Sequence, residues 1–405
     1  MNTPKKSAKQ LREMLIDERP DGSRRLKNQE QFAELTESGK LGIGDFSIRD
    51  LAEAFLGTSW ESGYNRASLP SGDVDLRESG TPVSSSVFPQ IAGQLLLSTV
   101  RKQFDVEASV FSPLVEAIES QIKGTEVVPS VTNIAPGDAQ LVQEAQEYPT
   151  VGVSEETFRL PAKEKKGFII ELTKEAIHFD KTNLLVQQAQ KIGAALGAVK
   201  ENSIIDCLVG ATNNYVRNGV ASNTYLTAGV INNQSSLPLT DWTDIDAALR
   251  LWEDLLDPNT SEPLAGYPKH LVVTPAKLRT ARRIVTATQT RSDENQALGT
   301  RSEVTIGGNP VSDLGLTVLS SIRLYRRILA GPEPVAATAR DGWFLGDIGE
   351  AVCWLSCFPL TVMQQGPDSP AAFSRDVAMR FKSSMLGVAA VKEKRRILRL
   401  ENAAW

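Results

Sequence analysis

Glu126-Val-Val-Pro-Ser-Val-Thr-Asn133 and Thr157-Phe-Arg-Leu-Pro-Ala-Lys-Glu-Lys-Lys-Gly-Phe-Ile-Ile-Glu-Leu-Thr173 are two strand-like segments of this chain. Apolar residues alternate near the end of the second segment, so that Phe168 and Ile169 fall on opposite faces. An acidic connector, 134–156, joins the two segments and is punctuated by Gly and Pro. A connector this long without a pattern of its own is typical of a functional or mobile loop. We therefore predict an extended hairpin that cannot bury a core of its own and needs a neighbouring chain to lie on.

A long amphipathic helix is predicted directly after the hairpin, over about 182–209, because apolar residues recur there at helical spacing. Gly210 is expected to end it. Gly193 and Gly197 lie four residues apart on one face of this helix, where each glycine costs about 1 kcal/mol relative to alanine. Their presence predicts that another backbone packs closely against the helix.

The rest of the chain mixes helices and strands in no regular order. We predict helices at 47–56, 242–256 and 275–285, and strands at 270–274, 309–320, 343–345, 353–363, 373–381 and 388–400. We expect 1–58 to be charged and helix-prone, 59–85 to be an extended linker, and 287–303 to be polar and mobile. Because strands and helices do not alternate regularly, the predicted fold class is α+β and not a doubly wound sheet.

Composition excludes several classes of protein. The length of 405 residues predicts two or three domains, and a net charge of −5 argues against a dedicated nucleic-acid binder or a membrane-surface protein. Three cysteines, an odd number, favour a reducing compartment over a disulfide framework. No apolar stretch approaches the length of a membrane span, and the N-terminus has no signal-peptide pattern. We therefore expect a protein made and kept in the cytosol, with no membrane partner.

Catalytic motifs are missing from the sequence: it contains no P-loop, no His-Glu-x-x-His and no Gly-x-Ser-x-Gly. The residues that could carry other chemistry are His178, His270, the pair Cys353 and Cys357, and the acid pairs Asp73–Asp75 and Asp244–Asp246. We interpret each of these as structural, because neither histidine is close in sequence to the cysteines and paired acids are ordinary in loops and helix starts. The sequence thus predicts no catalytic, cofactor-binding or metal residue, no cofactor, and a protein that is not an enzyme.

Four segments, taken in order, resemble the major capsid proteins of tailed bacteriophages, which have the Hong Kong 97 fold. They are Gly167-Phe-Ile-Ile-Glu-Leu-Thr-Lys-Glu-Ala-Ile177 with the long helix that follows, His270-Leu-Val-Val-Thr-Pro275, Ile306-Gly-Gly-Asn-Pro-Val311, and Phe344-Leu-Gly-Asp-Ile-Gly-Glu-Ala-Val352 with Pro370-Ala-Ala-Phe-Ser-Arg-Asp376. Each motif alone is degenerate, and it is their order that is specific. The resemblance covers roughly residues 90–400.

The resemblance implies a Hong Kong 97-like capsid fold with an N-terminal arm, an extended β-hairpin loop, a long spine helix, and peripheral and axial domains. On this mapping the parts are an N-terminal arm or helical scaffold-like region at 1–85, the start of the peripheral domain at 86–123, the extended loop at 124–172, the peripheral domain with the spine helix at 173–235, the axial domain at 236–364, and a return to the peripheral domain at 365–405.

The function implied by the resemblance is that of a major capsid protein, which self-assembles into hexamers and pentamers of an icosahedral shell around double-stranded DNA. Its expected partners are itself, scaffolding, portal and decoration proteins, and packaged DNA held by non-specific contact. It would reside in the virion after assembly in the host cytoplasm. The alternatives are an encapsulin-like protein compartment, another virion structural protein, and an enzyme of unrecognised type.

Two sets of basic residues bear on these implied contacts. Basic runs at both ends of the chain, including Lys394 and Arg395 near the C-terminus, are candidates for attraction to the phosphate backbone of DNA. Lys163, Lys165 and Lys166 lie in the return arm of the hairpin, where some capsid proteins cross-link neighbouring subunits through a lysine. Because no partner motif is recognisable, we interpret these three lysines as solubilising and do not assign a cross-link to them.

Overall fold

The protein is described here as a computed structural model that covers residues 16–18, 24–26, 98–131, 142, 148, 155–173, 184–210, 215–226, 233–256, 263, 266–294, 303–330, 341–365 and 377–400. The chain divides into two compact units. The first unit comprises Met1–Glu107, Lys165–Ala198 and Phe358–Met385, and the second comprises Ala108–Glu164, Val199–Cys357 and Leu386–Trp405. No helix among the described residues is both long enough and apolar enough to cross a membrane.

Helices and strands are both well represented in the described residues, which confirms the predicted α+β class. The helices are α1 (98–107), α2 (Leu184–Val209), α3 (Trp242–Glu253), α4 (Leu278–Thr286), α5 (Ile322–Ala330) and α6 (Ile348–Ala351). The strands are β1 (Ile16–Glu18), β2 (Arg24–Leu26), β3 (Glu116–Glu119), β4 (Glu126–Val131), β5 (Glu155–Leu160), β6 (Glu164–Thr173), β7 (Tyr215–Arg217), β8 (Val220–Ser222), β9 (Gln234–Ser235), β10 (His270–Val273), β11 (Gln289–Glu294), β12 (Glu303–Gly308), β13 (Thr317–Ser320), β14 (Trp343–Gly346), β15 (Val352–Gln365), β16 (Val377–Val391) and β17 (Ile397–Leu400).

A central sheet with the order β13-β10-β14-β17-β9 organises the second unit. β10 pairs with β13 in parallel and with β14 antiparallel, so the sheet is mixed. Its strands are short, and β14 is buried along its whole length. A strand buried on both faces is expected to read as a continuous apolar run, and Trp343-Phe-Leu-Gly346 does so.

Helices cover both faces of this sheet because successive side chains of a strand point to opposite sides. On one face, Leu271 and Val273 pack with apolar residues of α3 and α4, among them Trp252 and Ile284. On the other face, Val272 packs with residues of α5 and of the part of α2 that belongs to the second unit. The second unit therefore has three layers, with two cores separated by the sheet.

The long helix was predicted almost in full: α2 runs over Leu184–Val209, against the expected 182–209. Two other helix limits differ from prediction. α3 ends at Glu253 and not at 256, and Asp254 is its C-cap residue. α4 begins at Leu278 and not at 275, since residues 275–277 form a turn before the helix.

The predicted hairpin is confirmed in its first part and wrong in its last. β4 pairs antiparallel with β5, from Glu126 opposite Leu160 to Val131 opposite Glu155. β5 also pairs with β7. The return arm, however, breaks after Leu160, and β6 joins a different sheet beside β16. The connecting tip, 134–156, lies almost entirely outside the described residues.

Three further strand assignments are corrected. The segment 287–303, expected to be mobile, contributes β11 and the start of β12, which pair antiparallel. The segments predicted separately at 373–381 and 388–400 are joined, because β16 runs without interruption over Val377–Val391 across the serines and glycine between them. Near the N-terminus, β1 pairs with β2 within a region predicted to be helix-prone. The helix predicted at 47–56 lies outside the described residues.

Candidate functional site: assembly surfaces

A buried ion pair fixes the base of the β4–β5 hairpin. Lys163, only 3% exposed, donates from Nζ to Oε2 of Glu126 at 2.7 Å and to Oγ of Ser120 at 2.9 Å. Ser120 also donates to the Glu126 carboxylate. The backbone N–H of Lys163 donates to the carbonyl of Lys123. These bonds join the segment after β3, the start of β4 and the segment after β5, so the base of the hairpin is fixed within the second unit.

The electrostatics of this base favour the ion pair. The Lys163 hydrogen bond, assisted by Ser120, holds the pKa of Glu126 below its usual value, because both bonds favour the charged carboxylate. An ammonium group taken out of water this far would be strongly destabilising without its partner. Lys163 therefore has a structural role, and its interpretation as a solubilising lysine is wrong. Lys165 is exposed, as that interpretation requires, and Lys166 is half-buried.

The two glycines of α2 allow a close helix contact within the first unit. A Cβ on Gly193 would collide with the carbonyl oxygen of Val100 in α1, and a Cβ on Gly197 would lie 2.6 Å from that of Phe104. At both positions the carbonyl oxygen is too close to allow any side chain. The prediction that another backbone packs against these glycines is confirmed, and the backbone is that of α1.

Replacing Gly193 by alanine should destabilise the protein although alanine is the better helix former. A backbone oxygen already occupies the position that the added methyl group would take. Overpacking of this kind typically costs about 1–3 kcal/mol, more than the roughly 1 kcal/mol gained in helix propensity. Thermal unfolding checks the result. Gly307→Ala is the control, because a Cβ there has no atom within 4 Å. Equal melting temperatures for the two variants would contradict the close contact.

Four large exposed apolar side chains lie in the sheet that contains β6 and β15. On β6, Phe168 and Ile169 are 44% and 62% exposed, and on β15, Phe358 and Met363 are 62% and 65% exposed. Ile170, the next residue along the strand, is buried. The alternation predicted for this strand is therefore wrong here, because Phe168 is exposed although residues two apart in a strand share a face. Large apolar groups left in water on one sheet are typical of a surface that another chain covers.

The basic run near the C-terminus is folded into the second unit. Lys394 and Arg395 are only 5% and 4% exposed. Arg395 forms an ion pair with Glu393 at 2.7 Å, and Lys394 donates to Oγ of Ser222 at 2.8 Å. Burial lowers the pKa of Lys394. These two residues hold the end of the chain in place, so their surface is not available to DNA and their assignment as phosphate contacts is wrong.

A buried carboxylate of α2 caps a turn that is distant in sequence. Glu201, fully buried, accepts hydrogen bonds from the backbone N–H groups of Phe111 at 2.7 Å and Ser112 at 3.2 Å. These groups begin a 3-10 turn, Ser112–Leu114, that has no cap from its own side chains. Burial raises the pKa of Glu201, outweighing the two hydrogen bonds that favour its charged form. No local sequence pattern predicts this contact, because its partners are about ninety residues away.

His270, at the start of β10, has the structural surroundings of a neutral histidine. Its Nδ1 accepts a hydrogen bond from the backbone N–H of Ile348 at 3.4 Å, and burial lowers its pKa despite the nearby Asp347. Asp347 forms an ion pair with Lys269 at 2.6 Å. These contacts secure the N-terminus of α6 to the sheet. His178 lies outside the described residues.

The acid pair of α3 and Cys353 also have structural surroundings. Asp244 caps the start of α3 by accepting from Thr240 and Asp241, and Asp246 pairs with Arg250 one turn later. Burial raises the pKa of Cys353 to about 11, which keeps its thiol protonated. No group of three or more metal-ligating side chains occurs within the described ranges. The pair Asp73–Asp75 lies outside them.

Comparison with known proteins identifies a family. A family model described as phage capsid protein matches residues 159–400, more than half of the chain. The match extends from the end of β5 to the end of β17 and so includes the sheet of the second unit. No curated protein matches the chain.

Solved capsid structures are similar to this chain in fold. The capsid of cyanophage P-SCSP1u matches with a TM-score of 0.47 and 13% identity, over 72% of this chain and 87% of its own. The mature capsid of bacteriophage PhiM1 gives a TM-score of 0.43 and 11% identity, over 82% and 90%. A virus-like particle from Pyrococcus furiosus gives 0.41 and 11% identity, over 76% and 99%.

Proposed function

The chain belongs to the phage capsid protein family and is a structural subunit of the virion that associates with itself. From this premise we propose that its copies form hexamers and pentamers, which close an icosahedral shell around double-stranded DNA. The resemblance found in the order of sequence segments is thereby confirmed at the level of the family. The family disfavours an encapsulin-like compartment and suggests a protein that is not an enzyme.

The observation that carries the proposal is the hairpin. Its base is fixed by the buried Lys163–Glu126 ion pair, and its last described pair is Val131 with Glu155, which the sequence 132–154 connects. The subunit thus combines a rigid attachment with a long segment available to reach a neighbour. The exposed apolar residues of β6 and β15 are further groups that a neighbour could cover.

The finer assignments belong to the same proposal. We assign 124–172 to the extended loop, 236–364 to the axial domain, and 86–123, 173–235 and 365–405 to the peripheral domain. Scaffolding, portal and decoration proteins are its proposed partners, and assembly takes place in the host cytoplasm. Any contact with DNA is non-specific and uses residues other than Lys394 and Arg395, because these are buried.

Electron microscopy of the purified chain tests this function. We expect closed shells, or separate six- and five-membered rings, because every contact needed between identical copies is carried by the chain itself. Sedimentation should show particles far larger than the 44.0 kDa subunit. A stable monomer at all protein and salt concentrations, or open tubes in place of shells, would contradict the proposal.

A further inference from the structure

Two helices on the same face of the central sheet expose opposite charges. α4 turns Ala281 and Ile284 into the core and exposes Arg279, Arg282 and Arg283. Arginines three and four residues apart share one side of a helix, where like charges repel. None of the three makes an ion pair with a residue that the structure describes. We call these three residues the arginine face.

α3 presents the opposite charge at its C-terminal end. Its outward residues include Asp246 and Arg250, which form an ion pair at 3.0 Å, so that their charges nearly cancel. Glu253 and Asp254 follow and are both exposed. Their charges add to the negative end of the helix dipole, which attracts cations. We call these two residues the acidic end.

The positions of the two helices separate the charges across the sheet. α4 packs on β10 and β13, at one edge of the strand order, whereas α3 packs on β17, towards the other edge. Both helices contribute to the same core, so they lie on the same face. A subunit placed beside a second subunit in the same orientation would bring the arginine face of one towards the acidic end of the next.

We propose that the arginine face of α4 docks against the acidic end of α3 in a second copy of this chain. The inference rests on the proposed shell function and names one of its contacts. An interface between two different surfaces is head-to-tail, and repeating it with a fixed rotation closes a ring. The complementary charges select the correct neighbour and orientation, while apolar contacts elsewhere contribute most of the affinity.

A second copy fits these observations better than DNA does. Phosphate groups would also be attracted to three exposed arginines. They would, however, be repelled by Glu253 and Asp254 on the same face of the sheet, and they would leave the acidic end unexplained. A second copy accounts for both charged surfaces and for their separation to opposite edges.

Charge reversal tests the contact. The arginine-face variant carries Arg279→Glu, Arg282→Glu and Arg283→Glu, and the acidic-end variant carries Glu253→Arg and Asp254→Arg. Each should lower the yield of shells at least about tenfold, because like charges then meet across the interface. Combining all five substitutions should restore the yield. Arg326→Glu, an exposed arginine of α5 on the opposite face of the sheet, is the control and should assemble normally.

The outcomes separate this contact from the function on which it rests. If the wild-type chain forms no shell or ring, the proposed function fails. If the wild type assembles and the two single-set variants do so equally well, only the contact is wrong. The contact is also wrong if the combined variant does not recover the yield of shells although its circular dichroism and melting temperature equal those of the wild type. So would an arginine-face variant that assembles normally but packages less DNA, since the partner of the arginines would then be nucleic acid.

Discussion

Replacing Glu201 by alanine is expected to lower the free energy of unfolding by about 2–4 kcal/mol, because two buried backbone N–H groups lose their acceptor and each costs about 1–3 kcal/mol when left unsatisfied. Glu201 is fully buried, so water cannot replace the lost carboxylate without opening the core. The affected groups are those of Phe111 and Ser112, at the start of the 3-10 turn. Denaturant unfolding followed by circular dichroism measures the change.

Glu201→Gln is the matched variant for this experiment. The amide has nearly the same shape and one oxygen, so it can accept from one of the two N–H groups but presents a donor to the other. We expect a loss smaller than that of alanine, about 1 kcal/mol. An alanine variant within 0.5 kcal/mol of wild type would show that the capping role of Glu201 is wrong.

The dependence on pH provides an independent check. Because burial raises the pKa of Glu201 above its ordinary value of 4.5, the folded state binds a proton more tightly than the unfolded state does. The stabilisation that comes from this tighter proton binding is complete below the ordinary pKa of the carboxyl group. It is lost as the pH rises through the higher pKa of the folded state. Over this window the wild type should lose stability relative to Glu201→Gln, which does not titrate. Parallel pH profiles for the two proteins would contradict the raised pKa.

Local patterns were sufficient to predict α2 and its contact. The 3.6-residue period and the glycine that follows Val209 are properties of the segment itself. Gly193 and Gly197 carried tertiary information as well, because a glycine inside a helix is costly unless something occupies the space of its side chain. The structure places backbone oxygens of α1 in that space.

Strand limits in the two long segments could not be predicted locally, because they depend on which strands lie alongside. The return arm of the hairpin looks continuous in sequence, yet β5 pairs with β4 and β7 whereas β6 lies beside β16. Within β16, serine and glycine suggested a break. Gly387 instead admits the ring of Trp354 and the carbonyl of Leu355, which lies 2.7 Å from where a Cβ would be. Tertiary packing therefore requires the small residue that local propensity disfavours.

Charged residues were the least predictable part of the candidate site. Lys163 and Lys394 look like solvated residues in sequence, and both are buried. Their acceptors, Glu126 and Ser222, are 37 and 172 residues away. A charge count reports how many ions a segment carries but not whether a distant segment covers them. The extended loop stays a proposal, and the buried lysine contributes to it by fixing the base of the hairpin.

Shortening the hairpin tip should abolish shell assembly while leaving the subunit folded. The change joins Val131 to Glu155 through a two-residue Asn-Gly turn, which suits a β-hairpin. All six residue pairs between β4 and β5 are kept, from Glu126–Leu160 to Val131–Glu155, as is the Lys163–Glu126 ion pair. The melting temperature of the subunit is therefore expected to stay within a few degrees of wild type.

Shell assembly, unlike the stability of the subunit, should be lost, because in the proposed function the tip serves only to contact a neighbouring subunit. A loss of only about 3 kcal/mol per contact weakens association by about a hundredfold, and the loss is repeated at every subunit of a shell. We expect no closed particles by electron microscopy and a sedimentation profile of free subunits or small rings. The same Asn-Gly turn placed between Glu294 and Glu303 shortens the β11–β12 hairpin by a similar design and serves as the control, for which assembly should persist. Closed shells at wild-type yield from the tip-shortened protein would show that another part of the chain makes the contact between subunits. The exposed apolar residues of β6 and β15 would then be the next to test.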